Sequence, residues 1–218
     1  MARPLDKSLV PAVTVPRLSL YLRKLRELQA RGVERVSSKQ LAEMIDLNAA
    51  QIRKDFSYFG EFGTRGVGYE VDRLAAEIRR CLGLERSWNV IIVGAGSLGT
   101  ALARYRGFAE QGFRLTAMFD ASSRKVGASF GDGRTVRDVA GLEEFCRQEP
   151  VDIAIVAVPA HAAQSIIDRL TGLHPEHRVR AVLNFAPVKV FAPRDVVVRQ
   201  VDFSSELMFL SFYLDREA

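Results

Sequence analysis

Apolar side chains in the first third of the chain recur every three or four residues, and this spacing predicts short amphipathic helices. The first helix covers 17–30, with its leucines and one tyrosine on a single stripe, and ends near Gly32. Ser37 followed three residues later by Gln40 is a capping-box pattern, so a second helix is predicted to start there. Another stripe over 71–82 predicts a helix that closes this part of the chain.

A third helix is predicted over 49–59, because Asn48 and Gln51 repeat the capping-box pattern. About three residues separate it from the second helix, which is the layout of a helix-turn-helix. One face of this helix is apolar, and the opposite face carries small side chains, an amide and basic groups. Such a face can reach phosphates and base edges in a DNA major groove, but an ordinary solvated helix face has the same composition. The candidate DNA contacts on it are Ala50, Gln51, Arg53, Lys54, Ser57 and Tyr58.

A glycine-rich segment, 60–69, follows the third helix and carries one cation near its tip, Arg65. A glycine-rich hairpin at this place is typical of the wing of a winged-helix domain. An arginine at such a tip favours the narrow, electronegative minor groove of A·T-rich DNA. Arg65 is therefore a further candidate DNA contact.

From residue 88 onward, short apolar runs alternate with helical stripes. Alternation of this kind is typical of a Rossmann-type doubly wound parallel sheet. The predicted fold is therefore α/β, with a winged-helix domain in front of a Rossmann domain. Strands are predicted over 90–93, 115–119, 151–158, 179–185 and 196–198, and helices over 97–111, 141–147 and 161–171.

The first predicted strand of this sheet ends in a glycine-rich turn. Gly94 allows the tight turn, Gly96 lets the backbone approach a pyrophosphate, and Gly99 lets the helix pack on the strand. Asp120 stands 21 residues after Gly99, where a carboxylate accepts both hydroxyls of an adenosine ribose and so favours NAD(H). The alternative is a glycine-rich turn that binds no ligand. The candidate cofactor contacts are Gly94, Ala95, Gly96, Ser97, Leu98, Gly99 and Asp120, with Val158 and Pro159 across the crevice.

The charge is unevenly distributed between the two predicted parts. Residues 1–82 contain 15 lysines and arginines against 10 acidic residues, whereas 83–218 contain 16 against 16. The whole formal excess of +5 therefore lies in the predicted DNA-binding part. This asymmetry favours a nucleic-acid partner, although a solvated basic surface explains it equally well.

Composition narrows the classes of protein further. No apolar run approaches the length of a membrane span, and no signal peptide is recognisable, so we expect a cytoplasmic protein. Cys81 and Cys146 lack CxxC spacing and are interpreted as reduced apolar residues. The three histidines are too few and too poorly spaced for a metal site, and none is expected.

The tail, 201–214, shows a helical pattern that is apolar on nearly every side, with Asp202 and Ser204 as candidate caps. Such a helix must be covered all round, and one small Rossmann domain can cover only one side. We therefore expect a second subunit; the alternative is a helix packed on its own chain. A helix-turn-helix also usually binds a two-fold site as a dimer.

Two other functions use the same features. A small NAD-dependent oxidoreductase would need a proton carrier, and His161 is the one plausible candidate, although an exposed histidine explains it as well. The stretch from Trp88 to Asp202 suffices only for the nucleotide fold, so we expect no enzyme and interpret the cofactor as a signal. The second alternative is a DNA-binding protein whose Rossmann domain only forms the dimer.

The sequence resembles the Rex family of bacterial redox-sensing transcriptional repressors over nearly its whole length. Two departures from the family pattern lie at Asp46, where the family has glycine, and after Asp120, where Arg124 and Lys125 stand near the ribose position. Aspartate tolerates the left-handed conformation that this glycine provides. The motifs that carry the resemblance are 51–60 with 63–69, then 36–38, 94–99, 158–160, 163–164 and 184–188.

The resemblance implies a homodimeric repressor that senses the NADH/NAD+ ratio and leaves its operator, expected to be an A·T-rich inverted repeat, when NADH binds. It implies that the C-terminal helix is exchanged between subunits. Asp202 and Phe203 would then lie beside the partner's cofactor, with Tyr105 as a polar partner for Asp202. It adds Ser38 to the candidate DNA contacts. Lys125, which departs from the family pattern but stands near the ribose position, is a further candidate cofactor contact. The implied domains are 1–82 (winged helix), 83–201 (Rossmann) and 202–218 (swapped helix).

Overall fold

The computed structural model describes residues 10–58, 60, 63 and 67–214. The chain divides into two compact units between Arg86 and Ser87. The elements of the first unit are α1 (Thr14–Ala30), β1 (Arg35–Val36), α2 (Ser38–Ile45), α3 (Ala49–Ser57), β2 (Tyr69–Glu70) and α4 (Val71–Cys81).

The core of the first unit is the apolar stripe of α1, which packs against α4. The stripe that the spacing predicts is buried: Leu18, Tyr21, Leu22, Leu25 and Leu28. The helix begins earlier than predicted, at Thr14 rather than residue 17. Pro16 causes no break because it falls in the first turn, where a missing N–H costs no intrahelical hydrogen bond.

Helices α2 and α3 form the predicted helix-turn-helix, and the capping box at the start of α2 is confirmed. Ser37 Oγ accepts from the Gln40 N–H at 3.1 Å, and Gln40 Oε1 accepts from the Ser37 N–H at 2.9 Å. Asp46 ends α2 in the left-handed conformation, with φ 51°. Aspartate thus takes the conformation that glycine usually provides at the end of a helix.

The second predicted capping box is only half correct. Asn48 Oδ1 caps α3 by accepting from the Ala50 N–H at 2.7 Å. The Gln51 side chain does not return to the cap, because its amide donates to Asp55 Oδ1 at 2.8 Å instead. In a capping box the Gln51 amide oxygen would accept from the Asn48 N–H, but the buried Asp55 carboxylate one turn further along α3 draws the amide toward it by a charge-assisted hydrogen bond.

The second unit contains a six-stranded sheet, confirming the Rossmann-type prediction. Its strand order is β10-β9-β8-β3-β4-β7, and every neighbouring pair is parallel. The chain leaves β3 in one direction and β8 in the other, so the order reverses between these two strands. The elements are β3 (Trp88–Val93), α5 (Ser97–Ala103), α6 (Gly107–Glu110), β4 (Phe113–Asp120), β5 (Ser129–Gly131), β6 (Arg134–Thr135), β7 (Arg137–Asp138), α7 (Leu142–Gln148), β8 (Ile153–Val156), α8 (Ala160–Thr171), β9 (Ala181–Asn184), β10 (Val197–Gln200) and α9 (Phe203–Leu214).

Both faces of this sheet are buried, which is why its central strands are continuous apolar runs. On β3, Ile91 and Val93 face a cluster that includes the buried sides of α7 and α8. Val90 and Ile92 face the opposite cluster, which includes Phe130 and the partly buried side chains of α5 and α6.

The helix predicted over 97–111 is two helices, and this prediction was wrong in its length. The first ends at Ala103, and α6 covers only Gly107–Glu110. Gly107 lies under the Tyr105 ring, where an added Cβ would be 2.6 Å from the ring atoms. The break covers residues 104–106, and Gly107 opens α6, where the missing side chain lets the Tyr105 ring lie against the backbone.

Helix α9 is exposed along its whole length within its own chain. Its eight large apolar side chains are between 51% and 73% exposed. Asp202 caps it as predicted, accepting from the Ser204 N–H at 2.9 Å and from Ser205 Oγ at 3.0 Å. Among the described residues, none of the helices combines the length and the apolar character that crossing a membrane requires.

The capping box of α2 yields a stability prediction. Ser37→Ala removes the acceptor for the Gln40 N–H, so the free energy of unfolding should fall by about 1 kcal/mol. Ser19→Ala is the control, because Ser19 lies exposed inside α1, where alanine is a good helix former. Urea unfolding of the full-length protein measures both, and equal stability of the two variants would contradict the cap.

Candidate nucleotide site and nucleic-acid interface

The glycine-rich turn presses against the end of β8. Gly94 has φ 109°, and a Cβ on it would lie 2.3 Å from the Ala157 carbonyl oxygen and 3.2 Å from Val158 Cγ1. Only glycine meets both the positive φ and this close approach. The turn therefore lies at the carboxyl ends of β3 and β8, where the strand order reverses and nucleotides bind in such sheets.

The other two glycines of the turn differ in their surroundings. Gly99 is tightly packed, since an added Cβ would be 1.8 Å from the Gly94 carbonyl oxygen. Gly96 faces open space, with nothing within 4 Å of such an atom. The first hydrogen bond of α5 runs from the Thr100 N–H to the Gly96 carbonyl at 2.9 Å, so the N–H groups of Ser97 and Leu98 precede it. Gly96 is thus where a phosphate can reach the backbone.

Asp120, at the end of β4, is tied to the same turn. Its Oδ2 accepts from the Ala95 N–H at 2.7 Å and from Lys125 Nζ at 3.0 Å, and its Oδ1 accepts from the Ser122 N–H at 2.8 Å. Burial opposes ionisation, but these three donors outweigh it and hold the pKa of Asp120 below its ordinary value. Asp120 is therefore a fixed negative charge beside the turn.

This carboxylate retains room for a ribose. Two oxygens offer about four acceptor positions, and three are occupied by protein donors. Lys125 is the movable donor, since its side chain is 43% exposed. If Lys125 turns outward, two positions are free, which is the number that the two hydroxyls of an unmodified ribose require.

The structure brings together most of the predicted cofactor residues: the turn 94–99, Asp120, Lys125 and Val158, with Pro159 next along the chain. The remaining three make other contacts within the chain. Tyr105 packs edge-on against Phe108, with ring centroids 5.1 Å apart. Asp202 caps α9, and the rings of Phe203 and Phe185 lie 5.9 Å apart.

The predicted DNA face of α3 is open to solvent. Ala50, Arg53, Lys54 and Ser57 are exposed, whereas Gln51 and Tyr58 are half-buried. Two of the predicted contacts are joined, since Arg53 Nη1 donates to Ser38 Oγ at 3.0 Å.

Arg53 and Ser38 thus place a guanidinium between the first turn of α2 and the face of α3. Within the described residues, Lys54 makes no side-chain hydrogen bond and so keeps its ammonium available. The prediction for Arg65 falls outside the described residues.

Behind this face lies Asp55, a fully buried carboxylate that ties α3 to α1. Arg17 of α1 donates to it twice, at 2.6 and 2.7 Å. The Tyr21 hydroxyl donates at 2.6 Å and the Gln51 amide at 2.8 Å. Three of these charge-assisted hydrogen bonds, two from Arg17 and one from Tyr21, join α3 to α1, and the fourth lies within α3.

The ionisation of the Asp55 network follows from these contacts. Burial alone would raise the pKa of Asp55, but Arg17, Tyr21 and Gln51 together lower it. The Arg17 pKa is raised by its hydrogen bond to Asp55, and the Tyr21 pKa is raised mainly by burial. Asp55 and Arg17 are therefore a stable ion pair at neutral pH.

Sequence reasoning missed Asp55, although a signal was present. Asp55 stands between Ile52 and Phe56 on the apolar face of α3. An acidic residue on a buried face needs a basic partner, and Arg17 lies on the flank of the apolar stripe of α1. The pairing joins residues 38 positions apart, which local patterns do not reveal.

Two family models match the chain. One, described as "Putative DNA-binding protein N-terminus", matches residues 9–57, and the other, "CoA binding domain", matches 85–188. The first covers α1 to α3, and the second covers the sheet from β3 to β9 with the glycine-rich turn. Each model thus matches a part of one of the two compact units, apart from the first two residues of the second match.

Curated proteins match almost end to end. The "Redox-sensing transcriptional repressor Rex" of Chloroflexus aurantiacus is 45% identical over 209 residues, which is 96% of this chain and 96% of that protein. The protein of the same name from Streptomyces coelicolor is 46% identical over 217 residues, 99% of this chain and 82% of its own. This chain belongs to the Rex family.

Solved structures of the Rex family have the same fold. RSP in complex with beta-NAD+ and operator DNA superposes with a TM-score of 0.91 at 37% identity, covering 97% of this chain and 95% of that one. RSP in complex with beta-NADH gives 0.85 at 36% identity, covering 97% of each. Solved relatives are thus bound to the two classes of ligand, DNA and a pyridine dinucleotide, that the two sites of this chain suggest.

The Asp55 network yields a second stability prediction. Asp55→Ala leaves the Arg17 guanidinium without its partner, so the free energy of unfolding should fall by about 3 kcal/mol at pH 7. Because the Asp55 pKa is lowered in the folded state, the wild-type advantage is present above the ordinary aspartate value of 3.8 and is lost as the pH falls below it. Urea unfolding at pH 7 and at acidic pH measures both effects.

Asp72→Ala is the matched control for Asp55→Ala. Asp72 is exposed in the first turn of α4 and accepts one hydrogen bond from Gln29 at 2.7 Å. Its loss should cost less than about 1 kcal/mol. Equal losses in the two variants at pH 7 would refute the network.

Proposed function

We propose that this chain is a homodimeric transcriptional repressor that binds operator DNA through α3 and releases it when NADH occupies the glycine-rich turn. The observation that carries the proposal is the joint presence of a solvent-facing basic α3 and an Asp120-anchored glycine-rich turn in one chain. Full-length similarity to Rex-family structures solved with operator DNA and with beta-NADH supports the same pairing.

The nucleotide is proposed to be NAD(H) rather than a nucleotide phosphorylated on its ribose. Asp120 is ionised and faces the ribose position, so a ribose phosphate would meet a like charge there. Coenzyme A carries such a phosphate, and this disfavours it despite the description of the second family model. The turn 94–99 would hold the pyrophosphate, with Val158 and Pro159 across from it.

The proposal of a second subunit rests on the exposed apolar side chains of α9. Full burial of a large apolar side chain contributes roughly 1.5–3 kcal/mol, and eight such side chains on α9 are at least half exposed. Exchange of α9 between two copies would cover it. Asp202 and Phe203 of one subunit would then meet the nicotinamide of the other, with Tyr105 as the polar partner of Asp202.

The functional parts are proposed to be 1–82 for DNA, 83–201 for the nucleotide and 202–218 for dimerisation. NADH acts on DNA binding only if it binds the released state more tightly than the DNA-bound state. A 100-fold change in operator affinity requires about 2.7 kcal/mol of such coupling.

Signalling is favoured over catalysis. His161 is exposed at the start of α8. The second unit is large enough only for the nucleotide fold and leaves no part of the chain for a substrate domain. The proposal therefore assigns no reaction to the chain, and as a DNA-binding repressor it would work in the cytoplasm. NADH oxidation with a panel of oxo-acids and aldehydes, abolished by His161→Ala, would instead support the oxidoreductase.

The direct test is fluorescence anisotropy of a labelled A·T-rich inverted repeat with the full-length protein. The protein should bind in the presence of NAD+ and be released by NADH at the same total concentration of nucleotide. Equal affinity for the repeat with NAD+ and with NADH would overturn the sensing function.

The ribose site gives a third prediction. Asp120→Ala removes the acceptor for the ribose hydroxyls, so operator binding should persist while the NADH concentration for half-release rises at least tenfold. Asp168→Ala, an exposed carboxylate on α8, is the control and should leave the response unchanged. If Asp120→Ala responds like wild type in the anisotropy assay, the Rossmann domain serves only as a scaffold.

The DNA face gives a fourth prediction. Lys54→Ala should weaken operator binding, and if the ammonium contacts a phosphate, the slope of log affinity against log salt should decrease by about one unit. Lys189→Ala, which removes an equal charge from the other unit, should leave the slope unchanged. Identical slopes for all three proteins would exclude Lys54 from the phosphate contacts.

A further inference from the structure

The second unit has another cavity, of about 730 Å³, away from the glycine-rich turn. Its walls come from the end of α5, from α6, from the hairpin β5–β6, from α7 and from the first half of β4. At about 3.3 Å per residue, Thr116 in its wall is about 13 Å along β4 from Asp120. The cavity, here called the arginine cleft, thus lies apart from the glycine-rich turn and Asp120, and its rim includes Tyr105, which the proposed dimer places at the subunit junction.

The arginine cleft is strongly basic. Five arginines line it against two carboxylates, a formal excess of three positive charges. The whole second unit has no such excess, since 83–218 is electrically balanced. The lining charges are Arg104, Arg106, Arg114, Arg134 and Arg137, with Asp132 and Glu149.

Three of these guanidinium groups donate no hydrogen bond to another described residue. Arg104, Arg106 and Arg137 make no side-chain hydrogen bond or ion pair within the described part of the chain. Arg134 is partly engaged: it pairs with Asp132 at 3.0 Å and its Nη1 donates to the Leu115 carbonyl, while its Nε is buried without a partner among the described residues. Unsatisfied guanidinium donors at a cavity are suited to an anion.

Two arginines are held in place by aromatic rings. The Arg134 guanidinium lies 5.1 Å from the centre of the Phe130 ring, and that of Arg137 lies 4.9 Å from the centre of Phe145. Both rings are buried, so these positions are supported from the core. A stacked guanidinium keeps its N–H groups at the edge, where they can bind phosphate oxygens in pairs.

The cleft also has an apolar side, formed by Phe108, Phe113 and Leu115, which are half-buried. Its volume lies within the range of small-molecule sites, about 300–1,000 Å³. We propose that the arginine cleft binds a nucleoside polyphosphate, with the phosphates on the arginines and the base on the apolar side. Tyr105 at its rim is not used, because the proposed dimer places it at the subunit junction.

Calorimetric titration of ATP into the full-length protein saturated with NAD+ tests the proposal. ATP should bind beside NAD+, about tenfold more tightly than inorganic triphosphate, and adenosine alone should not bind. Loss of ATP binding on addition of NAD+ would show that ATP uses the dinucleotide site, and would overturn the proposal. So would equal affinities for ATP and triphosphate, because the apolar side would then have no role.

Matched variants locate the site. Arg137 is exposed, so Arg137→Ala should fold and weaken ATP binding about tenfold, the effect of losing one charge-assisted contact. Arg199→Ala, an equal charge loss on the exposed strand β10, should have no effect. Asp120→Ala should keep ATP binding, so the outcome does not depend on the proposed repressor function. Unchanged ATP affinity in Arg137→Ala would overturn the assignment.

Discussion

Helix α9 imposes the constraint on which the rest of the molecule depends. A helix that is apolar on nearly every side and more than half exposed cannot stay in water at no cost, and its own Rossmann unit contacts little of it. In the proposed dimer, a second copy of the chain would remove this cost and provide the two-fold symmetry that a helix-turn-helix needs. The same helix begins at Phe203, with Asp202 as its cap, so in the proposed dimer its burial would also determine which side chains lie next to the nucleotide.

Each unit fixes its functional element with one buried carboxylate. Asp120 holds the glycine-rich turn through the Ala95 N–H, and Asp55 holds α3 through Arg17 and Tyr21 of α1. Both carboxylates are ionised, because hydrogen-bond donors compensate for burial. Hydrogen bonds thus hold both proposed ligand-binding surfaces in place without a ligand, which would lower the entropy lost on binding.

Local patterns were enough to predict the helices of the first unit and the five strands β3, β4, β8, β9 and β10 of the second, but not the short strands β5, β6 and β7, which were predicted as loop. The capping box at Ser37 and the spacing from the turn to Asp120 are local signals with a single physical meaning each. Contacts between distant parts of the chain were beyond such patterns: the pairing of Asp55 with Arg17, the use of Gln51 by Asp55, and the cleft around Arg134. The break before α6 was missed because one glycine inside a helical stripe is usually tolerated.

The most direct measurement of the central claim is the molecular mass of the full-length protein by sedimentation equilibrium at micromolar concentration. Covering α9 with a second copy predicts about twice the chain mass of 24.3 kDa. It also predicts a shift toward monomer when Leu207 and Leu210 of α9 are both changed to serine, which removes much of the apolar surface without charging it. A single species of 24.3 kDa in the unaltered protein would contradict the account.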